Sequence, residues 1–326
     1  MRQRIISTVV GVAAAALFAV AAVSASTAGS AASPRTKLTI VAPASPGGGW
    51  DTFARESQRV MRDNTIAGGI QVVNIPGASG TIGLGQLAGM GDRHDVMMVT
   101  GGVMLGGIVV NGSAVTLEDV TPIARLADDF NVLVVPADSP YETLDDFVAA
   151  VAENPGGTAI AGGSLGGIDH LLSGMLASAA GVDPSDANYL AYPGGGEVVT
   201  SLLSHTAEAG LSGYNEFRDQ IESGNLRALA ISAAEPVDGI DVPTFVEQGY
   251  DVAMANWRGY VAPPGISDEV RDELIAMVTE MRETSDWQET LARNSWVDSF
   301  MTGAELDAFI GTETERTTQI MTELGL

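Results

Sequence analysis

The stretch Ile40-Val41-Ala42-Pro43-Ala44-Ser45-Pro46-Gly47-Gly48-Gly49-Trp50-Asp51 breaks from an apolar run into prolines and three consecutive glycines just before a helical pattern opens. It predicts a buried strand from Leu38 to Val41, a tight loop and a helix N-terminus, with Phe53, Val60 and Met61 recurring at helical spacing up to Asp63. Glycines carry no Cβ, so their backbone N–H groups approach a ligand closely, and the helix dipole presents its positive end there. The loop therefore suits an anion. Gly47-x-Gly49-x-x-Thr52 lacks the third glycine of the dinucleotide fingerprint, and no Gly-Lys-Ser/Thr occurs in the chain, so a carboxylate fits as well as a phosphate. Taken alone, the glycines serve equally as the geometry of a βα turn.

Outward from this stretch the same unit recurs. Gln71 to Ile75 reads as a strand closed by Pro76-Gly77-Ala78-Ser79-Gly80, with Ile82, Leu84 and Leu87 in a short helix after it, and Asp95 to Thr100 as a third strand running into Gly101-Gly102. Pro122 to Leu126 and Val132 to Val135 are predicted as two further strands, followed by a helix from Thr143 through Val151. The opening pattern then repeats twice. Thr158 to Ala161 leads into Gly162-Gly163-Ser164-Leu165-Gly166-Gly167 and a helix, and Asn188 to Ala191 into Tyr192-Pro193-Gly194-Gly195-Gly196 and another. Strands at Ala207 to Leu211 and Leu226 to Ile231 complete the block, the segment from Ala255 to Pro264 is extended, and the chain is expected to end in helices. Two α/β lobes without a linker imply segments that cross between them and a cleft at the crossing. The expected division is 34–130 plus 256–326 for the first lobe and 131–255 for the second.

The chain has 326 residues, 39 of them glycine, and a formal charge of −25 with no basic patch, which excludes nucleic acid as a partner. An anionic ligand then has to be held by local dipoles, a feasible arrangement because the far field is screened over about 10 Å at moderate salt. Cysteine is absent, which removes disulfides, thiolate metal sites, Cys nucleophiles and lipid modification of an N-terminal Cys. No metal site or cofactor is expected. Arg2 and Arg4 precede an apolar run from Ile5 to Val23, and small residues follow, the layout of a secretory signal peptide near residues 1–32; an uncleaved membrane tether is the alternative. The expected product is an exported, unlipidated monomer.

With these stretches in view, the sequence resembles the extracytoplasmic solute-binding proteins of tripartite tricarboxylate transporters, the TctC or Bug family, over essentially the whole chain after residue 33. The resemblance rests on Pro46-Gly47-Gly48-Gly49-Trp50-Asp51, Asn74-Ile75-Pro76-Gly77-Ala78-Ser79-Gly80-Thr81-Ile82-Gly83, Thr121-Pro122-Ile123-Ala124-Arg125-Leu126, Gly166-Gly167-Ile168-Asp169-His170-Leu171, Leu226-Arg227-Ala228-Leu229-Ala230, Asp241-Val242-Pro243-Thr244 and Trp257-Arg258-Gly259, in that order. It implies a two-lobed type II periplasmic-binding-protein (Venus flytrap) fold of the α/β class that delivers a small carboxylate, a tricarboxylate such as citrate or a dicarboxylate, to a two-component membrane permease. It implies that Gly47, Gly48, Gly49, Trp50 and Asp51 grip a carboxylate from one side and Tyr192, Gly194 and Gly195 from the other. Ser79, Gly80 and Thr81, and Gly163, Ser164 and Gly166, are similar to the remaining cleft loops. Trp50 and Gly167 stand where many members carry Ser or Thr, so two hydroxyls are missing, and Ser164 or bare N–H groups would replace them.

Other candidates carry competing readings. Gly162-x-Ser164-x-Gly166 matches a nucleophile elbow, which makes an exported serine esterase the alternative function, but only two histidines follow Ser164: His170 is six residues on in the same helical stretch, and His205 ends a helix with no acidic partner implied by spacing. Asp51 fits a helix cap or dipole partner as well as a ligand contact. His170 lies among apolar residues and reads as a packed histidine, and Arg258 as a salt-bridge partner near the hinge. Ser212 and Tyr214 follow a strand and are expected to form the far, specificity-setting wall.

Overall fold

Strand β1 (Lys37–Ala42) pairs in parallel with β2 (Gly69–Asn74) on one side and β3 (Val96–Gly101) on the other. The computed structural model describes residues 33–91 and 93–326; the segment read as a signal peptide lies outside the described residues. β1 and β3 are almost continuously apolar because both of their faces are covered, whereas β2 alternates half-buried and exposed residues, as an edge strand does. Helix α1 (Gly49–Asp63) covers this sheet with Phe53, Ala54, Ser57, Val60 and Met61, a stripe at helical spacing. Helix α2 (Thr81–Ala88) follows β2, and helix α3 (Gly102–Val110) follows β3.

The long strand β4 (Thr121–Pro136) runs where two separate strands were expected. Its acidic middle, Asp128-Asp129, does not break it, because Arg125 and Arg258 neutralise those side chains within the sheet. β4 also joins the two halves of the molecule. Its first part pairs antiparallel with β9 (Ala255–Ala262) and β10 (Val297–Met301), and its second part with β7 (Ala209–Gly213) and β8 (Leu226–Ile231). β7 continues in parallel to β5 (Ile160–Gly162), and β5 to β6 (Tyr189–Ala191). Each half thus repeats one plan: three parallel strands ordered second, first, third, then an antiparallel strand, then one more. In the first half the antiparallel strand is β9; in the second it is β4 itself, so the chain crosses between halves outward through β4 and back just before β9.

The second half carries α4 (Leu144–Glu153), α5 (Ile168–Ala179), α6 (Gly195–Leu203) and α7 (Tyr214–Glu222), and the chain returns to the first for α8 (Asp268–Arg282) and α9 (Ser285–Arg293). One apolar core surrounds Phe53, Tyr260 and Trp287 in the first half, and two others lie on opposite faces of the second sheet. The last helix, α10 (Gly303–Glu323), touches both: Leu306 and Ile310 belong to the first core, while Met321, with Leu324 just beyond the helix, belongs to the second. Two elements went unread in the sequence. α3 is apolar on every side and holds glycines at 102, 106 and 107, which leave no periodic stripe, and β10 is a short strand of partly exposed residues in a region expected to be helical. Among the described residues no helix is long and apolar enough to cross a membrane.

Candidate functional site

In both halves the loops at the C-terminal ends of the parallel strands face a common cavity of about 320 Å³, the position at which open α/β sheets hold ligands. Five helices start there, and each starts from a glycine: Gly48 for α1, Gly80 for α2, Gly167 for α5, Gly194 for α6 and Gly213 for α7. None of these caps has a side chain that could accept a hydrogen bond from the first-turn N–H groups. Three helices that begin away from the cavity are closed differently, while α3, after Gly101, and α10, after Thr302, also start without a side-chain cap. Thr143, Ser267 and Thr284 cap α4, α8 and α9 through their hydroxyl oxygens, which accept from Asp146, Val270 and Trp287 N–H. Five of the seven helix starts without a side-chain cap thus surround the cavity, where an anion is the natural partner of their free donors and positive dipole ends.

Of the residues singled out from the sequence, the cavity wall gathers Gly48, Gly49, Trp50, Ser79, Gly80, Gly163, Ser164, Gly194, Gly195 and Ser212. Six others sit behind it, each held by another interaction. Gly47 has φ +85°, open to glycine, and its N–H donates to Asp51 Oδ2 at 2.8 Å. Asp51 is buried and also accepts from Arg55 and Asn74; burial pushes its carboxyl up, but these donors outweigh it and hold it below the usual carboxylate range. It is a brace for the loop, consistent with the cap reading. Thr81 donates to the Ala78 carbonyl, and the Tyr192 hydroxyl donates to Ser201 Oγ. Gly166 packs against Gly106 and Val110 of α3 and Met321 of α10, and Tyr214 packs on the outer core of the second sheet.

Sequence reasoning missed the acids and amides of the wall. Asp129 and Asn131 stand two apart on β4, on one face of the strand where it crosses between halves; Asp169 is the second residue of α5 and Glu216 the third of α7. The available signal was an acid pair inside an apolar strand and acids in first turns, both of which also serve ordinary structural roles. Arg258 lines the cavity as well, with both terminal nitrogens engaged and its buried Nε without a partner. Nη1 donates to the Gly49 carbonyl at 2.7 Å, Nη2 contacts Asp129 Oδ2, and the guanidinium lies 5.0 Å over the Trp296 ring. The salt-bridge reading of Arg258 is what the geometry gives. Burial pushes the Asp129 carboxyl up, Arg258 opposes this, and the neighbouring Glu216 adds to it. Burial likewise pushes Asp169 up to about 7, reinforced by Glu216 and Asp129, although Gly163 N–H and the Asn131 amide donate to it.

Ser164 lines the cavity, but its following histidine is not a base for it. His170 is buried, stacks on Tyr189 at 4.4 Å between ring centroids, and its Nδ1 accepts from Gly166 N–H at 3.1 Å; burial lowers its pKa.

The model of the tripartite tricarboxylate transporter family receptor, TctC, matches residues 53–326. The chain belongs to this receptor family. It is a solute-binding receptor rather than an enzyme, so the Ser164 esterase reading is set aside. The receptor is 28% identical over 298 residues to protein BugT of Bordetella pertussis, spanning 90% of each chain. Its fold is that of MatC from Rhodopseudomonas palustris with bound malate (TM-score 0.74, 22% identity, covering 88% of this chain and 99% of that one). It is equally that of an R. palustris protein with adipate (TM-score 0.79, 19% identity, covering 90% and 98%). The two-lobed type II periplasmic-binding-protein architecture is thus established, and family membership implies an exported protein that serves a transporter permease.

Proposed function

We propose that this receptor captures a small carboxylate between its lobes outside the cytoplasmic membrane and hands it to the two-component permease of a tripartite tricarboxylate transporter. The observation that carries the reading is the set of five glycine-started helices, none with a side-chain cap, around one cavity. Gly48, Gly49 and Gly80 grip a carboxylate from the first lobe, Gly194 and Gly195 from the second, and the hydroxyls of Ser79, Ser164 and Ser212 complete the ring. Backbone donors and helix ends give fixed positive potential without a free cation, and closure of the lobes excludes water and strengthens each bond. The malate and adipate found in structures of the same fold support a dicarboxylate-sized ligand. The lobes are 34–130 with 256–326 and 131–255, bridged by α10, and residues 1–32 form a signal peptide removed on export.

A thermal-shift screen tests this with malate, adipate, succinate, citrate and L-glutamate beside neutral sugars. At least one carboxylate at 100 times its Kd should add about 3 kcal/mol to folded stability and raise Tm by a few degrees. Shifts from the sugars alone refute it.

A further inference from the structure

A receptor for a plain carboxylate needs no acid in its wall, yet three line this cavity: Asp129, Asp169 and Glu216. Arg258 is the single cation among the lining residues, and it is spent on Asp129. Asp169 and Glu216 are left without a cationic partner among the described contacts: Asp169 accepts from Gly163 N–H and Asn131, and Glu216 from the Ser212 hydroxyl. The chain keeps glycine where these acids enter. A Cβ on Gly163 would lie 2.8 Å from Asp169 Oδ2, and one on Gly195 would overlap Glu216 Oε2. A second observation points the same way. Asn131, 1% exposed and part of the wall, uses its amide nitrogen on Asp169, while its Oδ1 is a buried acceptor with no partner. An unsatisfied acceptor beside two unneutralised carboxylates calls for a donor carrying positive charge.

We infer that the ligand is an amino-bearing carboxylate, whose carboxylate lies against the glycine-started helices and whose ammonium is received by Asp169, Glu216 and Asn131 Oδ1. This rests on the carboxylate-receptor reading and narrows it. An ammonium supplies three donors, and the wall offers three side chains that accept: Asp169, Glu216 and Asn131. It also lowers the cost of burying Asp169, whose surroundings now raise its pKa. The cavity, small among ligand pockets, suits a molecule of amino-acid size. The competing arrangement keeps Asp169 protonated as a donor to a second carboxylate of the ligand. The two arrangements respond to pH with opposite sign. The groups around Asp169 are Asp129 and Asn131 of β4, Glu216 of α7, Gly163 N–H and Tyr189, whose hydroxyl donates to the Gly163 carbonyl; of these, Asp129 and Glu216 hold the Asp169 proton more tightly.

Calorimetric titration of the full-length exported protein with matched pairs decides the question: L-glutamate against glutarate, L-aspartate against succinate, and 4-aminobutyrate against butyrate. The amino-bearing member of at least one pair should bind ten-fold or more tightly than its partner, and its affinity should rise between pH 6 and pH 8 as Asp169 loses its proton. Asp169→Asn and, independently, Glu216→Gln should each reduce that preference to within about three-fold while the amine-free acid binds no more weakly. Glutarate or succinate binding more tightly than its amino partner, or affinity that falls from pH 6 to pH 8, overturns the inference and leaves the carboxylate receptor standing. Failure of these pairs together with malate, adipate and citrate overturns both.

Discussion

Replacing Asp169 with Asn should make the ligand-free protein more stable, by an amount that depends on pH. The Asp169 carboxyl is pushed from 3.8 to about 7, first by burial and then by Glu216 and Asp129. Between about pH 4 and pH 7 the folded protein therefore holds a proton that the unfolded chain has released, so stability from this group falls as pH rises through that window and is level above it. A shift of about three units corresponds to about 4 kcal/mol as a ceiling; Asp169 is partly exposed to the water of the cleft, and screening reduces this to about 2 kcal/mol. Asn keeps an oxygen to accept from Gly163 N–H but has no proton to lose. Urea denaturation of the two proteins, followed by circular dichroism from pH 4.5 to pH 8, should give curves that nearly coincide at the acid end and separate by about 2 kcal/mol in favour of Asn at pH 8. The other acids contribute equally to both and cancel. A difference that stays constant across the range, or wild-type stability that gains on the variant as pH rises, would show that the site stabilises Asp169 as a carboxylate and refute the reasoning.

Removing the guanidinium in Arg258→Met leaves Asp129 buried without its counter-ion, and should cost about 3–5 kcal/mol in urea denaturation; the double variant with Asp129→Asn should recover most of this, and failure to recover would mean that Arg258 acts mainly through Trp296 and Gly49. A methyl at Gly106 would overlap the Gly166 carbonyl where α3 meets the β5–α5 turn, so Gly106→Ala should cost about 1–3 kcal/mol and enlarge the radius of gyration in X-ray scattering. Gly85→Ala, with open space around the new carbon, should instead add about 0.5–1 kcal/mol and serves as the control. Thr143→Ala removes the capping box of α4 and should cost about 1 kcal/mol, while any ligand-induced shift in Tm stays as in wild type; a changed shift would tie that helix start to the site.

The glycine-interrupted βα units were legible because their signal is local. A buried strand ending in glycine, followed by an apolar stripe at helical spacing, marked α1, α5 and α6 and the loops before them, and ten of the residues singled out from the sequence lie on the cavity wall. Family motifs in order carried the two-lobed architecture in the same way. Partnering between distant segments was decided by tertiary structure alone. Nothing in the order of residues says that Asp129 meets Arg258, 129 positions away, or that Asp169 and Glu216, on separate helices, converge with Asn131 on one cavity. The unbroken course of β4 through two aspartates depends on those same partners, since an acid pair alone reads as an interruption. The partners of Asp51 likewise came from the fold, where Gly47, Arg55 and Asn74 close around it. Periodicity reports which face of an element is buried, but the charge that a buried acid keeps depends on what the fold places within a few ångströms of it.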